Sequence, residues 1–204
     1  MNKEKLLLEE QKFLDIYPEG FQSEEMKAIS KKHNFKKTAD FAQKVFAKEE
    51  FVYENQIIEN MVKLVNKSSM VSLFEKPKFR DMIALLDEIE RHELVTGLNQ
   101  LLYGNEKIGF NTILEILLQH KMAKWTIISV FRCYCYPDSD LLFKPTTVKG
   151  IIQKFELNDI KYKPKPSYDF FIKYRDYINE MKSYTDPSLS PNNSAFSGFL
   201  MMTL

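Results

Sequence analysis

The chain has 204 residues and a mass of 24.1 kDa, with 44% hydrophobic and 28% charged residues, sixteen Phe and ten Tyr. This is apolar and aromatic material for a sizeable core and excludes a largely disordered chain. The formal charge of +1 excludes the strongly basic class of nucleic-acid proteins. No apolar run approaches the roughly twenty residues that a bilayer crossing needs, and the leucines at 6–8 run straight into acids instead of extending a signal core, so a cytoplasmic setting without membrane contact is expected.

Residues 2–16 repeat Leu, Phe and Ile at helical spacing until Pro18, Glu19 and Gly20 stop the pattern. Ser23, followed by Glu24 and Glu25, predicts an N-cap and an acidic first turn for a helix to about His33, with Asn34 as its stop. Two more helices are predicted over 36–48 and 53–66, on the apolar faces Ala39, Ala42, Val45, Phe46 and Ile57, Ile58, Met61, Val62, Val65. Residues 67–78 read as a loop with an apolar plug of Val71, Leu73 and Phe74, because Pro77 disfavours helix at the residue before it. From 78 to 103 the spacing predicts one long helix, or two meeting near His92, ended by Gly104 and Asn105. Asn111 is the expected N-cap of a short helix over 112–119.

The segment 121–157 reads as the organising stretch. Trp125 to Tyr136 is apolar nearly all round, which predicts a helix buried on most sides. Pro137, Asp138, Ser139 and Asp140 form a corner, and Pro145 with Thr146 and Thr147 as caps opens a helix to about Glu156. Alternating Lys and Pro over 163–167 predicts an extended crossing, after which Ser167 caps a helix to about Lys182 with Phe171, Ile172, Ile178 and Met181 facing the core. After a turn-rich connector, the apolar residues 194–204 predict a short docked helix. The expectation is a single all-α domain of nine to eleven helices, with N-terminal helices over 1–66, a central core over 67–157 and basic, aromatic helices over 158–204.

Few residues carry recognisable chemistry. His33, His92 and His120 lie far apart, Cys133-x-Cys135 lacks a second ligand pair, and neither a phosphate loop nor a nucleophile elbow is present, so neither a metal nor another cofactor is expected. Asp138 and Asp140 are the candidate acid and base, weighed against a turn-and-cap role that such acids more often have. Residues 144–182 hold nine Lys or Arg against five Asp or Glu, about +4, and interleave lysines and Arg175 with Tyr162, Tyr168, Phe170, Tyr174 and Tyr177. Lysines neutralise phosphates and aromatics stack on bases; the competing reading is a solvated helix face whose aromatics belong to the core.

Within 121–157 the chain resembles the helix-hairpin-helix DNA glycosylase superfamily over about forty residues: Trp125 to Tyr136 as the buried helix, Pro137-Asp138-Ser139-Asp140 as the corner, Leu141-Leu142 as the apolar pair, Pro145-Thr146-Thr147-Val148 as the following segment and Phe155-Glu156-Leu157 as its ending. The resemblance implies a helical DNA-binding fold. It also implies lost catalysis, because the family's catalytic Asp falls on Pro145 and its catalytic Lys on Thr126, and a weakened hairpin contact with DNA phosphate, because the hairpin glycines fall on Met122 and Lys124. More loosely, Phe143 to Thr147 is similar to a Phe-Lys-Pro-Thr-Thr segment in bacterial proteins, which implies no activity.

The leading expectation is a non-enzymatic protein that binds DNA through Lys124, Lys144, Lys149, Lys161, Lys163, Lys165 and Lys173. One alternative is a divergent base-excision glycosylase using Asp138 or Asp140, which requires one of those carboxylates to open into a cleft. The other is an interaction scaffold that recruits a protein through the C-terminal apolar segment.

Overall fold

The computed structural model describes all residues, Met1–Leu204. Eleven α-helices and three short 3-10 turns make up the fold, with no strand. In chain order the helices are α1 Lys3–Ile16, α2 Glu24–His33, α3 Phe35–Val45, α4 Glu54–Lys67, α5 Glu75–Leu85, α6 Glu88–Tyr103, α7 Glu106–Gln119, α8 Trp125–Cys135, α9 Pro145–Lys154, α10 Tyr168–Ser183 and α11 Asn193–Met202.

α8 is the central helix that its composition predicts. Every residue from Trp125 to Cys135 is buried except Arg132, and α3, α4, α6 and α7 all pack on it. With no polar face to offer water, such a helix is stable only when enclosed on all sides. Its N-terminal end is held by aromatics: Trp125 stacks on Phe143 at 5.3 Å between centroids, and Phe143 stacks on Phe171 of α10 at 5.0 Å. One apolar cluster runs through the chain from Leu6 to Leu200.

α6 and α7 form the closest helix pair, and glycine explains it. A methyl group on Gly109 would overlap the backbone nitrogen of Leu101 and lie 2.5 Å from the carbonyl oxygen of Gly97, so the two backbones touch where neither residue carries a side chain. α7 then turns into α8 through a Schellman closure: Met122 N–H donates to Leu117 O at 2.7 Å and Lys121 N–H to Leu118 O at 3.1 Å, with Lys121 in the left-handed position at φ +55° that glycine ordinarily takes. Glu156, also at φ +55°, closes α9 in the same way, with Leu157 N–H donating to Ile152 O at 3.0 Å.

Several expected boundaries differ. α5 begins at Glu75, with Pro77 in its first turn, where the missing N–H would have had no intrahelical partner. α5 and α6 meet at Leu86 and Asp87, not His92, because Asp87 and Glu90 form a reciprocal capping box. α7 starts at Glu106, capped by Asn105, whose side chain accepts from Ile108 N–H at 3.1 Å; Asn111 lies inside the helix. Thr146 and Thr147 are helical residues, Lys144 being the N-cap and Pro145 the first helical residue, while Ser167 occupies its N-cap position without a side-chain bond. Of the expected plug only Val71 is buried; Leu73 and Phe74 project into solvent.

The first helix packs against the last. Asn2 N–H donates to Phe155 O at 2.8 Å, and Phe13 meets Phe199 edge-on at 5.2 Å. α11 buries Phe196, Phe199 and Leu200, which consumes most of the apolar surface expected to recruit a partner; Met201, Met202 and Leu204 stay about half exposed. No helix is long and apolar enough to cross a membrane.

Candidate functional site

At the corner after α8, the two candidate carboxylates part company. Asp138 is exposed, and its backbone carbonyl accepts from Lys182 Nζ. Asp140 is 1% exposed and gripped from two sides: Arg132 donates Nε to Oδ1 at 2.8 Å and Nη2 to Oδ2 at 2.9 Å, Arg175 donates Nη1 to Oδ1 at 2.9 Å, and the Ser139 hydroxyl donates to Oδ2 at 2.9 Å. Glu106, the first residue of α7, completes the group, 2.9 Å from Arg175 and 3.3 Å from Arg132.

This is a neutral, nearly enclosed cluster of two guanidiniums and two carboxylates joining α7, α8, the corner and α10. Arg132 also donates to Leu101 O at 2.7 Å and lies 4.7 Å over the Tyr136 ring, so its fork is fully used. Burial acts to raise the pKa of Asp140, but the paired guanidiniums outweigh it and hold the carboxyl below the ordinary aspartate range. A carboxylate that is ionised at neutral pH and has its lone pairs engaged has no proton to give there. Asp140 is therefore neither a turn cap nor an acid opening into a cleft, but the centre of a structural lock.

The remaining titratable groups are dispersed. His33 bonds Ser69 at 3.0 Å, His92 bonds Glu54 at 2.8 Å and His120 bonds Glu90 at 2.7 Å. No group of three or more His, Cys, Asp or Glu side chains is arranged to hold a metal ion. Burial pushes both thiols up, Cys133 and Cys135 each to about 12, so neither is a thiolate at neutral pH.

Trp125 links most of the seven candidate lysines, and Lys173 stands apart. Trp125 Nε1 donates to the Lys163 carbonyl at 2.8 Å, which draws the Lys-Pro-Lys-Pro crossing against the start of α8, where Lys124 is the exposed N-cap residue. Lys149 of α9 lies 5.9 Å from the Tyr162 ring, which itself packs near Trp125 at 6.4 Å. Lys124, Lys149, Lys161, Lys163 and Lys165, from three separate segments, thus share one neighbourhood, all five exposed and none in an ion pair. Lys144, half-buried at the α9 N-cap, directly follows Phe143, which stacks on Trp125, and so adjoins the same region, whereas Lys173 lies on α10 near Asp159.

The aromatics interleaved with these lysines belong mainly to the core. Phe170, Phe171 and Tyr174 are buried, Tyr162, Tyr168 and Tyr177 are half-buried, and Arg175 is spent on the cluster around Asp140. Comparison of the chain with protein-family models, curated proteins and solved structures gives no match.

Sequence reasoning missed Arg132 and Glu106. A signal for the first was present: one arginine in an otherwise apolar helix must find a buried anion.

Proposed function

We propose that this chain is a non-enzymatic DNA-binding protein, with a helix-hairpin-helix-like element at α7 and α8 and its lysine face around Lys124, Lys149, Lys161, Lys163 and Lys165. The observation that supports this reading is the Trp125–Lys163 hydrogen bond, which brings the Lys161–Lys165 segment against the start of α8, next to Lys124. Exposed lysines free of ion pairs gain free energy from a polyanion that replaces their counterions. The enclosure of Asp140 weighs against the glycosylase alternative, since a flipped base needs an open acid.

The test is binding of fluorescent duplex, abasic-site duplex and single-stranded DNA by anisotropy across a salt series. Binding is expected to weaken as salt rises. Lys149→Glu with Lys163→Glu is expected to weaken it at least tenfold and to flatten the salt slope by about one for each phosphate no longer neutralised. Absence of binding to all three probes at about 50 mM salt, where phosphate contacts are strong, overturns the proposal.

A further inference from the structure

Among the sixteen phenylalanines, Phe74 alone is an exposed one, at 82%, and its neighbour Leu73 is 78% exposed. They are held out rather than left loose. Ser72 accepts from Phe74 N–H at 3.2 Å through its hydroxyl and from Glu75 N–H at 3.0 Å through its carbonyl, a tight turn that leads directly into α5. With every other phenylalanine at least partly buried, a phenylalanine set out in water by an ordered backbone turn is a feature with a use.

Its position connects it to the lysine face. Glu75, the next residue, accepts from the Thr126 hydroxyl at 2.8 Å, so the tip sits against the first turn of α8. That same turn follows Lys124 and carries the Trp125 bond to Lys163. Lys78, exposed and outside every ion pair, lies one turn into α5. A lone aromatic beside a path of lysines is the arrangement that binds unpaired bases and their backbone together, and a duplex, whose bases are already stacked, gains nothing from it.

We infer that the DNA bound is single-stranded, with Phe74 stacking on a base while the phosphates cross Lys124 and the Lys163 segment. This rests on the reading in the preceding section. A lipid surface fits less well: the other strongly exposed apolar side chains are dispersed, Val52, Tyr53, Leu85 and Ile89 toward the far end of α5, where His92 bonds Glu54, and Ile16 on α1, so they do not extend the Leu73–Phe74 tip into one apolar face.

The experiment measures anisotropy of labelled oligo(dT) and of a duplex of equal length, with wild type, Phe74→Ala, Phe74→Trp and the Lys149→Glu/Lys163→Glu variant. Single strands are expected to bind at least tenfold tighter than duplex, and Phe74→Ala to loosen them about tenfold without changing the salt slope, while Phe74→Trp retains affinity. Equal affinity for both probes, or an unaffected Phe74→Ala, overturns this inference; if the lysine variant still loses binding, the broader reading survives. No binding to either probe overturns both. Sedimentation with phosphatidylserine vesicles that depends on Phe74, in a protein that ignores oligo(dT), assigns the tip to membranes and also overturns it.

Discussion

Tyr174 shows how strongly a single side chain can be committed to shape at the expense of polarity. Its ring is parallel to Phe170 at 5.9 Å and edge-on to Phe143 at 5.1 Å, while its hydroxyl is buried with no hydrogen-bond partner. Burial raises its pKa far above the tyrosine range, so the group stays neutral and unpaired. Leaving a hydroxyl unsatisfied costs about 1–3 kcal/mol. Tyr174→Phe keeps the ring and removes the orphan, so urea unfolding is expected to show unchanged stability or a gain of about 1 kcal/mol. A clear loss in that measurement means that the hydroxyl has a partner, such as a buried water. The same residue sits in the run whose aromatics suggested base stacking; facing direction, which decides between core and ligand, is set by helices distant in sequence.

Among the elements, the α6–α7 pair depends on the absence of a side chain. Gly109→Ala forces a methyl into the α6 backbone, where no rotamer can relieve it, and is expected to cost about 3 kcal/mol or more in urea denaturation. Gly104→Ala, where the new methyl displaces the Gln100 side chain and with it the exposed bond that Gln100 accepts from Asn105 N–H, serves as the contrast and is expected to cost less, since no backbone is overlapped. Helix content was readable because a 3.6-residue period is local, and so was the buried character of α8, since a wholly apolar helix has only one stable environment. The α5–α6 boundary was also written locally, in Asp87 and Glu90, but the leucine spacing on either side runs across it and conceals the break. The exposure of Leu73 and Phe74 was not readable, because nothing near them in sequence distinguishes a plug from a tip. The site followed the same division: lysine content was visible, whereas the grouping of Lys124 with Lys163 hangs on an indole bond across 38 positions.

Across the whole molecule, the cluster of Arg132, Asp140, Arg175 and Glu106 ties the corner to α7, α8 and α10. Asp140→Asn preserves volume but leaves two guanidiniums facing Glu106 alone, and is expected to lose about 3–5 kcal/mol at neutral pH. Asp140 has a folded-state pKa below its ordinary value, so its ionic contribution is complete above about pH 4 and fades as pH falls through the folded value. Wild type and Asp140→Asn should therefore converge in thermal stability under acid and diverge toward neutrality; a gap that stays constant from pH 7 to about pH 3 would show that the charge is immaterial. A different consequence follows from the meeting of α1 with α9 and α11. The Asn2 side chain bonds Glu156, 154 positions along the chain, and Phe13 waits for Phe199. At about 5–20 residues per second, a ribosome takes roughly ten to thirty seconds to supply those partners. Throughout that interval Phe13 has only its near neighbours Tyr17 and Phe21 to pack on, and the contact that joins the first helix to the last forms once α11 has emerged.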